Sequence, residues 1–226
     1  AFYNCSALTS ITIPEGVTKI GNYAFYNCSA LTSITIPDGL TSIGNSAFMD
    51  CSSLTSITLP DGVTSIGDAA FCYCFALTSI TLPESLTSIG NSAFRQCSSH
   101  TSITLPDGLT SIGDNAFYGC DKLYEVYNKS DLTITAGSED NGYVAYYAKN
   151  VYTDSEGESK LKTVGDYLFY ADGEDIELIA YTGNETSITL PSDYEGKSYN
   201  IGNYAFEGCS SLTSITLPDG LTSIGD

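Results

Sequence analysis

The sequence predicts an α/β repeat solenoid, with a parallel β-sheet on one face and short strands with helical or 3-10 turns on the other. Three observations carry that expectation. Phe2, Phe25, Phe48, Phe71, Phe94 and Phe117 recur at a constant step of 23 residues, and Pro14, Pro37, Pro60, Pro83 and Pro106 keep the same step. A fixed period of roughly 20–50 residues marks a stacked array whose single units cannot bury their own apolar face. Within each unit an apolar–polar alternation, as in Ile57-Thr58-Leu59, runs into a Pro-Asp-Gly turn, so a half-buried strand ends where a ladder donor is lost.

In chain order, Leu54, Ile57 and Leu59 of one unit face inward while Ser56 and Thr58 face out, and β-branched Ile and Thr suit a pleated surface. Pro60-Asp61-Gly62 turns the chain, Pro fixing φ and Gly allowing a positive φ. Val63 and Ile66 return apolar groups from the opposite wall. Asp68, with Asn22, Asn45, Asn91, Asp114 and Asn203 at equivalent positions, reads as a helix N-cap whose oxygen accepts free backbone N–H groups. Ala69 to Cys74 is then one helical or 3-10 turn, with Ala70, Phe71 and Cys74 on its inner face. Coils stacked at the ~4.8 Å spacing of adjacent strands give a parallel sheet backed by short turns, which is the leucine-rich-repeat plan.

The pattern L-T-S-I-T-[I/L]-P-[D/E]-G-[L/V]-T-S-I-G-[D/N]-x-A-F-x-x-C-S resembles the BspA-like leucine-rich repeat, from Ala1 to about Leu123 and again from Ile201 to Asp226. The resemblance implies a secreted or cell-surface protein of the kind found in host-associated bacteria and some protozoan parasites. Several members are linked with adhesion to host proteins, so it also implies a protein or glycan ligand. The chain begins at Ala1-Phe2 inside a repeat and ends just before another x-A-F would start. A piece of a longer array is therefore expected, with its localisation signal outside these residues.

Composition narrows the partners. Apolar residues make up 42% of the 226, enough for a sizeable core. A net charge of −19 repels phosphate backbones and anionic lipid, so neither nucleic acid nor a membrane surface is expected to bind. No run approaches the ~20 apolar residues of a membrane span. Seven of the eight cysteines, Cys5, Cys28, Cys51, Cys74, Cys97, Cys120 and Cys209, occupy one repeat position. Equivalent Cβ atoms about 4.8 Å apart exceed the ~3.8 Å of a disulfide, so a buried ladder of free thiols is expected, each acting as a small apolar group. Cys72 alone is off register, and a C-x-C pair without other Cys or His nearby is a poor metal site.

Three regions follow: regular repeats over 1–122, irregular repeats with a Tyr-rich hairpin insert over 123–200, and a truncated regular repeat over 201–226, all read as one continuous solenoid. Leu123 to Tyr127 is the next strand, Gly142 to Lys149 a short helix, and Thr153 to Lys160 an exposed charged loop. Tyr167 to Ala171 and Ile176 to Tyr181 flank Asp172-Gly173-Glu174-Asp175, the pattern of a hairpin. Phe117 to Phe206 spans 89 residues against the 92 of four periods, so the coils continue through this segment in modified form.

No catalytic set, cofactor site or metal site is expected. His100, the only histidine, stands where other repeats carry leucine, and it reads as a core substitution. No Ser or Cys has a second His or a nucleophile elbow to activate it. The candidate binding surface is the outward hydroxyl face of the sheet, with Ser33, Ser56, Ser79 and Ser102 in one row and Thr35, Thr58, Thr81 and Thr104 in the other. Glu125 and Tyr127 interrupt these rows and are the specificity candidates. The tyrosines between Tyr143 and Tyr204 form a second candidate surface, since Tyr supplies amphipathic contact area at interfaces. Of the Asn-x-Ser/Thr acceptor patterns, Asn128 and Asn184 stand clear of the cysteine ladder. The leading function is an adhesin-like, non-enzymatic binding module; a stalk that displays other domains, or a targeting module beside a catalytic domain, are the alternatives.

Overall fold

The computed structural model describes residues 1–153 and 157–225, and the chain falls into two units, Ala1–Gly157 and Glu158–Asp226. Residues 154–156 of the expected charged loop lie outside the described residues.

In the first unit each coil contributes a short strand, which begins at the Ser of Ser-Ile-Thr in the regular coils and at Glu125 and Asn150 in the last two. These are β1 (Ser10–Thr12), β3 (Ser33–Thr35), β5 (Ser56–Thr58), β7 (Ser79–Thr81), β9 (Ser102–Leu105) and β11 (Glu125–Asn128), followed by β12 (Asn150–Tyr152). Pairing is parallel and in register, Ser10 against Ser33 and Ile57 against Ile80. The ladders are β1–β3, β5–β7 and β9–β11–β12. After each Pro-containing turn a second strand of two residues forms: β2 (Lys19–Ile20), β4 (Ser42–Ile43), β6 (Ser65–Ile66), β8 (Ser88–Ile89) and β10 (Ser111–Ile112). These five make one continuous parallel sheet.

The third wall departs from the expectation. It is not helical: Ala69 to Cys74 and its equivalents are successive turns, and the segment 142–149 holds only the end of a short 3-10 helix, Asn141–Tyr143. Two residues per coil explain why. Tyr23, Ser46, Ala69, Ser92 and Asn115 have φ of 52–56°, and Asn27, Asp50, Tyr73 and Gln96 have φ of 53–62°. A left-handed residue at each end stops a helix from propagating. Alternate N–H groups serve two directions instead. Ala24, Tyr26 and Cys28 donate three residues back to Gly21, Tyr23 and Phe25, while Tyr23, Phe25 and Asn27 donate across to Asn45, Ala47 and Met49 of the next coil at 2.8–3.0 Å. The wall is a third inter-coil ladder built from turns.

The Asn/Asp column is part of that ladder and caps no helix. Oδ1 of Asn22, Asn45, Asp68 and Asn91 accepts the backbone N–H of Asn45, Asp68, Asn91 and Asp114 at 2.7–3.0 Å. This close approach requires glycine just before each donor: a Cβ at Gly67, which precedes Asp68, would sit 2.7 Å from the Asn45 nitrogen.

The core of the first unit repeats coil by coil. Phe2, Phe25, Phe48, Phe71, Phe94 and Phe117 stack at 5.1–5.3 Å between ring centroids, with interplanar angles of 2–18°. Leu54, Ile57, Leu59, Val63, Ile66 and Ala70 are buried around them. In the second unit β13 (Leu161–Val164), β14 (Tyr167–Asp172) and β15 (Asp175–Tyr181) form an antiparallel meander. Strand β15 then pairs in parallel with β17 (Asn200–Ile201), while β16 (Ser187–Thr189) pairs with β18 (Ser214–Thr216). Its own core gathers Phe169, Leu178, Ile188, Tyr199 and Ile201.

His100 sits in the leucine position of its coil, 1% exposed. Its Nδ1–H donates to the Thr78 carbonyl at 3.1 Å, and Nε2 is buried without a partner. Burial lowers the ring's pKa from 6.5 to about 4. As pH falls, the unfolded chain takes up this proton first, so stability is complete above 6.5 and is lost toward 4. His100→Leu should raise the melting temperature and reduce its acid-side fall across that window, a difference on the order of 3 kcal/mol; parallel melting curves of the two proteins check it. Phe71→Ala, in the middle of the stack, should cost about 3–5 kcal/mol in denaturant unfolding.

Candidate binding surfaces

The strand wall carries the hydroxyl rows outward. Ser33, Thr35, Ser56, Thr58, Ser79, Thr81 and Thr104 are exposed, and Ser102 is half-buried. The Ile between each pair points to the core, so the period-2 pleat separates the two chemistries. Between β3 and β5, where one backbone ladder ends and the next begins, lies a shallow cleft of about 310 Å³ lined by Ser33, Thr35, Asp38, Ser56, Thr58 and Pro60.

Glu125 and Tyr127 are not open recognition side chains. Glu125 is fully buried and Tyr127 half-buried. The Tyr127 hydroxyl donates to Glu125 Oε2 at 3.0 Å, the Tyr152 hydroxyl to Oε1 at 3.4 Å, and the two rings stack at 4.7 Å. Gly157 lies so close to the Tyr152 ring that a side chain there would collide with it. A burial cost for a carboxylate is offset by these two hydroxyl donors. The signal that could have revealed this is the register pair Tyr127 and Tyr152 beside an acidic residue.

The thiol ladder holds a feature that small apolar character does not account for. Sγ of Cys28, Cys51, Cys74, Cys97 and Cys120 donates to the carbonyl of Phe2, Phe25, Phe48, Phe71 and Phe94 at 3.1–3.2 Å. Each such carbonyl also accepts the Cys N–H of its own coil, so both lone pairs are used. Cys5 and Cys209 depart from the buried ladder. Cys5 is exposed, with no coil of this sequence covering that side, and Cys209 is half-buried, its Sγ 3.9 Å from the Glu207 carbonyl and 4.0 Å from that of Tyr181. No disulfide joins any of the eight cysteines. Burial pushes the Cys51 thiol up to about 12, holds Cys74 and Cys97 well above the usual range, and takes off-register Cys72 to about 11 against the opposing pull of Arg95.

Among the acceptor patterns, Asn128 is buried. Its Nδ2 donates to the Leu132 carbonyl at 2.8 Å, and its Oδ1 accepts from the Ser130 hydroxyl at 2.6 Å, so it organises a turn and is closed to modification; Asn184 is exposed. No cluster of His, Cys, Asp and Glu fit to hold a metal occurs among the described residues. No helix among them is long and apolar enough to cross a membrane.

Three inter-coil ladders, a filled core and an outward polar strand face define a leucine-rich-repeat β-solenoid. The profile of the BspA-type leucine-rich repeat region matches in six copies over residues 1–124, 64–189 and 175–226, and the chain belongs to that family. Among curated proteins none matches the sequence. Among solved structures it is similar to a leucine-rich repeat protein of Eubacterium ventriosum, at 25% identity and a TM-score of 0.53 over 96% of this chain and 63% of that one. It is similar also to the leucine-rich repeat protein of T. pallidum, at 24% identity and a TM-score of 0.51 over 96% of this chain and 73% of that one. A leucine-rich cell surface protein of Faecalibacterium prausnitzii is 29% identical over 96% of this chain and 65% of its own, with a TM-score of 0.48.

The thiols give a direct check. In native protein at about pH 8, an aromatic disulfide reagent should react rapidly with Cys5, slowly with Cys209, and with the remaining six only after denaturant is added, because reactivity follows thiolate and access.

Proposed function

We propose that the chain is a non-enzymatic, surface-exposed binding module, adhesin-like in action, that meets a protein or glycan of a host or neighbouring cell. The observation that carries this reading is the strand face, where two rows of hydroxyls lie open on a wall whose every alternate side chain is committed to the core. Flat, extended sheet faces are what stacked-repeat proteins offer to partners. Small hydroxyls give donors and acceptors with little side-chain entropy to lose on docking. Membership of the BspA-type family supports binding over catalysis, and the resemblance supports a location at or outside the cell surface.

The protein should bind saturably to at least one of a panel of immobilised matrix proteins, mucins and glycans. Ser56→Lys/Thr58→Lys places two long cations on the face beside the β3–β5 cleft and should weaken that binding at least tenfold without lowering the melting temperature, both side chains being exposed. Full binding by the double variant would move the site off the strand wall. Absence of binding to the whole panel would favour a stalk.

A further inference from the structure

The turn wall loses its regularity after Asp114. Phe94 donates its N–H to Ala116, 22 residues ahead, whereas Phe117 donates to Gly142, 25 residues ahead. The longer coil opens a cleft of about 400 Å³ lined by Asp114, Asn115, Glu139, Asp140 and Tyr143. Tyr143 is one ring of an edge-to-face chain, 5.3 Å from Tyr118 and 5.4 Å from Tyr146, with Tyr147 a further 4.9 Å from Tyr146. This packing does not bury the rings: Tyr118, Tyr146 and Tyr147 remain 41%, 39% and 36% exposed. Contiguous exposed aromatic surface of this kind marks an interaction site.

We propose that this tyrosine surface, with the cleft beside it, docks an arginine- or lysine-bearing segment of a partner protein. The inference goes beyond the strand-face reading and uses none of its residues. Two observations select a cationic occupant over a neutral sugar, which could also stack on tyrosine. The chain's one arginine, Arg95, already lies over the Tyr118 ring at 5.1 Å, so these rings accept a guanidinium within this fold. The carboxylates of Asp114, Asp121, Glu139 and Asp140 border the surface on a chain of net charge −19. A guanidinium over a ring face with a carboxylate at its edge gains both cation–π and Coulombic attraction.

Fluorescence anisotropy with a short labelled Gly-Arg repeat peptide tests this, with a Gly-Gln repeat and a chitin oligosaccharide as the uncharged probes. Tyr146→Ala and Glu139→Gln/Asp140→Asn should each weaken Gly-Arg binding about fivefold, while Asp61→Asn/Asp107→Asn, at the Pro-Asp-Gly turns away from the tyrosines, removes the same charge and should leave it within about twofold. Raising salt from about 50 to about 300 mM should weaken it about tenfold. Equal loss in both acid pairs, or full binding by Tyr146→Ala, would reduce the attraction to net charge and overturn the proposal. Stronger binding of the oligosaccharide than of the Gly-Arg peptide would overturn it in favour of a glycan. Ser56→Lys/Thr58→Lys should bind the peptide as the parent does, which separates this site from the strand face.

Discussion

The first unit depends on like residues meeting like across one coil spacing of about 5 Å. A phenylalanine stacks on the phenylalanine 23 residues away, an Asn oxygen accepts the next Asn or Asp N–H, and a thiol donates to the carbonyl of the phenylalanine in the preceding coil. None of these contacts exists inside a single coil. Each coil buries its apolar face only because another lies against it, so stability is a sum of nearest-neighbour terms. Uniformity then matters more than the size of any one side chain, since a change in one coil is felt on both of its faces.

The same constraint shows how an irregular segment is tolerated. The first unit ends where β11 and β12 carry Glu125, Tyr127 and Tyr152 in place of serines and threonines, and those three satisfy one another. In the second unit an antiparallel meander supplies β15, whose middle residues align with a parallel partner, Glu177 against Asn200 and Leu178 against Ile201. A coil can therefore be rebuilt provided its ends still present a strand in register. The irregular coil adds Tyr146 and Tyr147 to the exposed surface.

Much of this was legible in the residues. The 23-residue period, the strand at Ser-Ile-Thr, the turn at Pro-Asp-Gly and the outward hydroxyl rows all follow from spacing and pleat. The turn wall did not, because Asn followed by a short polar residue and Ala-Phe is also how a helix starts. What decides against a helix is positive φ at Ala69 and Tyr73, imposed by the neighbouring coil and invisible within one repeat. Glu125 was misread for a related reason: a charge on an exposed row reads as open until the tyrosine that covers it, 27 residues on, is known. The role of the thiols as donors was hidden as well, since burial alone would be met by alanine.

The Asn/Asp column carries one more consequence, for chemical ageing and for charge. Only Oδ1 of each side chain enters the ladder, and Asn22, Asn45, Asp68 and Asn91 do this work alike. Hydrolysis of the Asn45 or Asn91 side-chain amide would therefore add a negative charge while leaving the acceptor in place. Conversion to aspartate, unlike the backbone-lengthening isoaspartate of a succinimide route, becomes here a dial on surface potential, and the coil can grow more acidic by substitution without coming unzipped.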